Sequence, residues 1–151
     1  CVGLVDKYFQ GVVPARELSD ARSQELAKSA LSVAGSVRSS IEAIAPHRAI
    51  EALIELLSET NKYLDQLEPW KTVKGEHVEL AAESLYCALE VLRIVGVLLF
   101  PVMPQKMEEL LTRVGWIDPI EFSQAEMWGL LGKKHQVRKD QPLFPRIEIS
   151  A

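Results

Sequence analysis

Glu68-Pro69-Trp70-Lys71-Thr72-Val73-Lys74 is the stretch of this chain best equipped to recognise a partner. Trp70 follows a rigid proline in what reads as a connector, and Lys71 and Lys74 flank it. A tryptophan at a helix end has two readings. It can cap the core, or it can offer a flat ring to an unpaired base. Stacking of a base on an aromatic ring is worth about 1–3 kcal/mol, and nearby lysines can neutralise phosphates. Readers of single-stranded RNA loops use this combination.

Catalytic chemistry finds no comparable constellation. There is no Gly-rich phosphate loop and no pair of metal ligands at helical spacing. His47, His77 and His135 lie in separate segments without a recognisable cysteine or carboxylate partner, and each reads as an exposed or capping histidine. The carboxylates fall on polar helix faces and read as solvated. No catalytic residue and no metal ligand is therefore expected.

The elements that must position Trp70 are helical. Val2, Val5 and Phe9 read as the last turns of a first helix, stopped by Gly11 and Pro14. Ser19 or Asp20 can cap the next helix, whose stripe is Ala27, Ala30, Leu31, Ala34, Val37, Ile41 and Ile44. Pro46 opens a third helix with the stripe Ile50, Leu53, Ile54, Leu57 and Leu64. Asn61 continues that stripe and reads either as a polar tie between helices or as an RNA contact; Tyr63 reads as packing. Glu68, before a proline, is biased away from helix, and 70–75 reads as a connector. A fourth helix is expected from near Glu76 to about Phe100, apolar around most of its circumference and the most buried of the set. Within it Cys87 reads as a small buried hydrophobe, and Arg93 requires a carboxylate partner. Pro104 opens a fifth helix with Met107, Leu110, Leu111 and Val114 inward and Gly115 as its stop.

Residues 116–151 lack helical period. Leu143, Phe144 and Ile147 are the candidate anchors of this tail, and Lys133, Lys134, Arg138 and Lys139 form a basic cluster that reads as a solvated loop. The expectation is an all-α fold: one helical bundle of about five helices over 1–115, with an irregular C-terminal tail over 116–151 packing back on it.

Composition sets limits. The 151 residues, 48% hydrophobic and 25% charged, suit one globular domain. A net charge of −4 gives no global support for nucleic-acid binding, so any such contact must be local. Two cysteines, Cys1 and Cys87, make neither a disulfide framework nor a Cys-rich zinc site. The longest apolar stretch, Ile94 to Val102, is far short of the roughly 20 residues of a membrane span. A soluble, cytoplasmic or organellar fragment that contacts neither membrane nor DNA is expected.

Larger motifs add a family. Asn61-Lys62-Tyr63 with Pro69-Trp70 and Lys74 resembles the Asn-x-Tyr…Pro-Trp…Lys signature of methionyl-tRNA synthetases. Leu98-Leu99-Phe100-Pro101-Val102-Met103-Pro104 resembles their Leu-x-Pro-x-Met-Pro stretch. Trp128-Gly129-Leu130-Leu131 and Pro142-Leu143-Phe144-Pro145-Arg146-Ile147-Glu148 are similar to their closing segment. The order is the family's, and the matches span nearly the whole chain.

The resemblance implies the helical domain that reads the CAU anticodon of methionine tRNA. Its partners would be that tRNA and its own catalytic domain, which is absent. ATP, and zinc where the family has it, belong to that catalytic domain, whose HIGH- and KMSKS-type motifs are not in this sequence. By resemblance, Trp70 stacks on the first anticodon base, Pro69 sets the loop before it, and Asn61 belongs to the signature. Lys71 and Lys74 are expected to touch the RNA backbone. The family's Asn-x-x-Ser-Arg pattern is expected upstream of Cys1. Phe144 and Arg146 read as structural or interdomain residues. The alternatives are a sister synthetase for leucine, isoleucine, valine or cysteine, which the Pro-Trp and Leu-Phe-Pro-Arg motifs disfavour, and a protein-interaction bundle with no RNA role.

Overall fold

Three helices of 22 residues each form the body: α2 (Ala21–Glu42), α3 (Pro46–Leu67) and α5 (Val78–Leu99). Each is about 33 Å long. The computed structural model describes residues 1–14 and 17–145. Before the body lies α1 (Val2–Phe9); α4 (Pro69–Thr72) is a single turn between α3 and α5, and α6 (Pro104–Arg113) follows α5. Helices α2 and α3 pack on each other and on α5, which also receives α1, α4 and α6. The architecture is the expected all-α bundle, with five helices of eight residues or more among the described residues.

Asp20 caps α2 by accepting the Arg22 N–H at 2.8 Å. Ser19 has a different task, giving its N–H and hydroxyl to Glu83 on α5. The buried face of α2 runs through Ser23, Leu26, Ala27, Ala30, Val33, Ala34 and Val37. Leu31 lies on its flank, and Ile41 and Ile44 are exposed at the far end, so the expected stripe is correct only in its middle. The stop is a Schellman turn: Ala45 N–H bonds Ser40 O at 2.8 Å and Ile44 N–H bonds Ile41 O at 2.9 Å. Ile44 takes the left-handed position, φ 55°, that glycine usually fills.

The buried face of α3 is Ala49, Leu53, Leu56, Thr60, Tyr63 and Leu67, a strict three-four spacing. The predicted stripe is rotated from it: Ile50 and Ile54 are exposed, and Leu57 and Leu64 are half-buried. Asn61 lies on that outer flank and is exposed, with no side-chain hydrogen bond among the described residues. It makes no tie between helices.

Helix α5 is buried almost throughout, including Cys87. It also buries Glu83, Glu90 and Arg93, so the reading of every carboxylate as solvated is corrected here. An apolar helix covered on all sides has no wet face for a charge, and each must find partners inside. Gly96 lets α6 come close: a Cβ there would lie 2.9 Å from Leu111 Cδ2.

The tail is irregular apart from one 3₁₀ turn, Phe122–Glu126, that packs on α5 and α2. It then runs beside the α1–α2 connection. Val13 N–H bonds His135 O at 3.2 Å, and Val137 N–H bonds Gly11 O at 2.8 Å. Val12 and Gln136 form an isolated antiparallel bridge. The anchors differ from those expected. Ala125, Leu131, His135 and Val137 are buried, whereas Leu143 is half-buried and Phe144 is 60% exposed. Arg146, Ile147 and Glu148 lie outside the described residues.

Candidate nucleic-acid interface

The chain passes from α3 to α4 without a linker. Glu68 ends the first helix in the left-handed region, φ 44° and ψ 55°, and its N–H bonds Leu64 O at 2.8 Å. Its carbonyl then accepts from Lys71 N at 2.8 Å, Thr72 N at 3.0 Å and Thr72 Oγ1 at 3.3 Å. Residues 70–72 are thus a helical turn rather than the connector expected. Pro69 opens it, where its missing N–H costs nothing, and is buried. Trp70 projects outward with 39% of its surface exposed. Val73, buried, fixes the other end of the turn.

The flanking lysines are unequal. Lys71 Nζ lies 2.5 Å from the Glu68 carboxylate, so its charge is partly answered within the protein. Lys74 is exposed and has no ion pair among the described residues. Asn61 stands six residues before the end of α3, about 9 Å along the axis. The structure thus gathers Pro69, Trp70, Lys71 and Lys74 into one short segment and leaves Asn61 further down the outer flank of α3.

A polar layer ties α2, α3 and α5 together at this same end of the bundle. Tyr63 Oη lies 2.8 Å from Ser23 Oγ, and burial pushes the Tyr63 hydroxyl well up from its usual range. Burial likewise raises the Cys87 thiol to about 11, so it is an un-ionised core group. Burial pushes the Glu83 carboxyl up, but hydrogen bonds from Ser19, Ser23 and Asp20 outweigh it and hold it low. Glu83 escaped sequence reasoning, although a carboxylate inside an apolar helix is itself a signal of buried partners.

The remaining candidates sit elsewhere. His47 and His77 are exposed at the starts of α3 and α5. His135 is a correction: it is buried, its ring stacked on Trp116 with centroids 5.8 Å apart, and Gly132 N–H bonds its Nδ1 at 2.9 Å. Burial lowers its pKa. Lys133, Lys134, Arg138 and Lys139 are exposed, with Lys134 3.8 Å from Asp118. At the opposite end of the bundle a groove of about 600 Å³ is lined by Val37, Ile41, Ile50, Leu98, Val102 and Phe122. It contains none of the candidate RNA contacts Asn61, Pro69, Trp70, Lys71 and Lys74. Among the described residues no group of three His, Cys, Asp or Glu is placed to hold a metal ion, and no helix is long and apolar enough to cross a membrane.

The fold is a helical bundle with an aromatic ring exposed at one end. The family described as the anticodon binding domain of methionyl tRNA ligase matches residues 13–150. The chain belongs to that family. A methionine–tRNA ligase of Synechocystis is 30% identical over 162 residues, covering 99% of this chain and 30% of the relative. One from Clostridium perfringens is 32% identical over 149 residues, covering 98% of this chain and 23% of the relative. The apo Mycobacterium tuberculosis methionyl-tRNA synthetase superposes with a TM-score of 0.90 at 27% identity, over 99% of this chain and 30% of that one. The chain therefore spans about a quarter to a third of the length of its relatives. This membership sets aside the sister synthetases.

Proposed function

We propose that this domain reads the CAU anticodon of methionine tRNA by stacking the first anticodon base on Trp70. It would do so as the tRNA-binding part of a methionine–tRNA ligase, in the cytoplasm or an organelle. ATP-dependent methionylation, and any zinc, would belong to the catalytic domain of that enzyme. The observation that carries the reading is the exposed Trp70 indole on a turn locked by buried Pro69, in a chain of this family.

Stacking supplies affinity but little selectivity, because every base has a flat face. Selectivity requires polar groups that lose their partners when the wrong base edge arrives. Asn61 has an exposed amide with no side-chain hydrogen bond among the described residues and is proposed as one such contact. Lys74, exposed and without an ion pair among the described residues, is proposed to meet the RNA backbone, and Lys71 to do so by exchanging the Glu68 carboxylate for a phosphate.

The test is titration with anticodon stem-loops carrying CAU or a changed first base. Trp70→Ala should weaken CAU binding roughly 5- to 150-fold, the equivalent of one lost stack. Equal binding of CAU and UAU loops by the parent chain would defeat the reading.

A further inference from the structure

We infer that Glu68 is the positioning residue for Trp70, acting through its backbone conformation rather than its charge. The RNA arm of the test below rests on the anticodon reading; the placement of the ring does not.

Among the described residues, three that are not glycine have positive φ: Gln10, Ile44 and Glu68. Glu68 alone of them precedes a proline. A side chain disfavours the left-handed region, and a following proline restricts its predecessor to extended conformations. Glu68, at φ 44° and ψ 55°, satisfies neither preference. Such strain persists only where the surroundings over-determine it, and it gathers at functional sites.

The over-determination is visible. The Glu68 N–H closes α3, and its carbonyl receives the three donors that open α4. One residue therefore ends one helix and starts the next. Only Pro69 lies between it and Trp70, and a proline has no free φ. The torsions at residue 68 thus set the direction in which the indole leaves the bundle. An extended residue there would carry α4 off the surface of α5, on which it packs.

The experiment labels the chain with 5-fluorotryptophan and reads the three ¹⁹F resonances, with Trp70→Phe identifying the exposed ring. Glu68→Gly, which adopts left-handed backbone freely, and Glu68→Gln, which loses only the charge, should each leave the Trp70 resonance in place. Both should hold CAU stem-loop binding within about threefold of the parent. Glu68→Val, whose branched side chain resists that backbone, should displace or broaden the Trp70 resonance alone. Binding should fall roughly tenfold or more. If Glu68→Val disturbs the Trp116 and Trp128 resonances too, Glu68→Thr, which is β-branched but polar, replaces it, with the same direction expected.

A Trp70 resonance unmoved in the Val and Thr variants would overturn the inference. So would a displacement in Glu68→Gln as large as in Glu68→Val, which would assign the role to the carboxylate. A displaced resonance with undiminished CAU binding would leave the positioning role standing and sink the anticodon reading.

Discussion

Arg93 and Glu90 put a complete ion pair inside the most apolar helix, with neither side chain exposed to solvent. The pair survives because nothing in it is left over. Glu90 accepts from Arg93 Nη2 at 2.8 Å and from the N–H groups of Gly129 at 3.2 Å and Leu131 at 2.5 Å. Arg93 also donates to Gln124 O at 2.8 Å and Met127 O at 2.6 Å, and its guanidinium lies 5.4 Å from the Trp116 ring centre. Arg93→Met would strand the carboxylate and two tail carbonyls. It should cost about 3–5 kcal/mol, read from the urea midpoint. Arg93→Lys should recover little, because an ammonium cannot reproduce the planar fork. The sequence makes half of this legible. An arginine in an apolar run demands a partner, and Glu90 stands one turn away. The tail carbonyls were hidden, because residues 124–131 carry no period that places them over α5. The candidate site divides in the same way. Trp70 and Pro69 are conspicuous by type, whereas the left-handed turn at Glu68 has no signature in a glutamate.

At the level of elements, the order and approximate bounds of the five longer helices follow from caps, prolines and spacing, whereas the single turn α4 does not. What fails is the rotation of α3. Choosing the large aliphatic residues selects Ile50 and Ile54, yet the face turned to α2 and α5 carries Ala49, Thr60 and Tyr63. A small or hydroxylated residue suits a close crossing, provided its polar atom is satisfied. Thr60 Oγ1 donates to Leu56 O at 2.8 Å, and Tyr63 meets Ser23. The stop after α6 was readable, and its reason is now physical. Gly115 has φ 88°, and a Cβ there would sit 2.7 Å from the Gln136 carbonyl oxygen. Backbone on both sides leaves no room to yield. Gly115→Ala should destabilise the chain by at least about 1–3 kcal/mol. Hydrogen exchange should accelerate first at the Val137 and Arg138 amides, whose acceptors are Gly11 O and Arg113 O.

For the molecule as a whole, protons act in one direction below neutral pH. Burial holds the His135 pKa below its ordinary 6.5, so the unfolded chain binds a proton more readily than the folded one. Stability from this group is therefore complete above that value and is lost as the pH falls below it. The charges nearest in effect are Lys134, which lowers the pKa further, and Asp118 and Glu90, which raise it. Asp20, held low by its hydrogen bond from Arg22, and Glu83, held low by Ser19, add losses at more acid pH. Urea midpoints should decline from about pH 6.5 downward. His135→Phe should remove the first part of the decline and keep the acid part; an unchanged profile would place the titration elsewhere. The contact that brings His135 inward also has a mechanical meaning. Residues 11–13 are stitched to 135–137, and helices α2 to α6 all lie between these two stretches. The polypeptide enters and leaves the helical body side by side. A pull on the two ends meets this antiparallel pair at one end, so it loads the bond between Val137 and Gly11 before the bond between Val13 and His135. The helices hang from it as an unloaded loop, and Trp70 keeps its aim while the backbone at the seam is under tension.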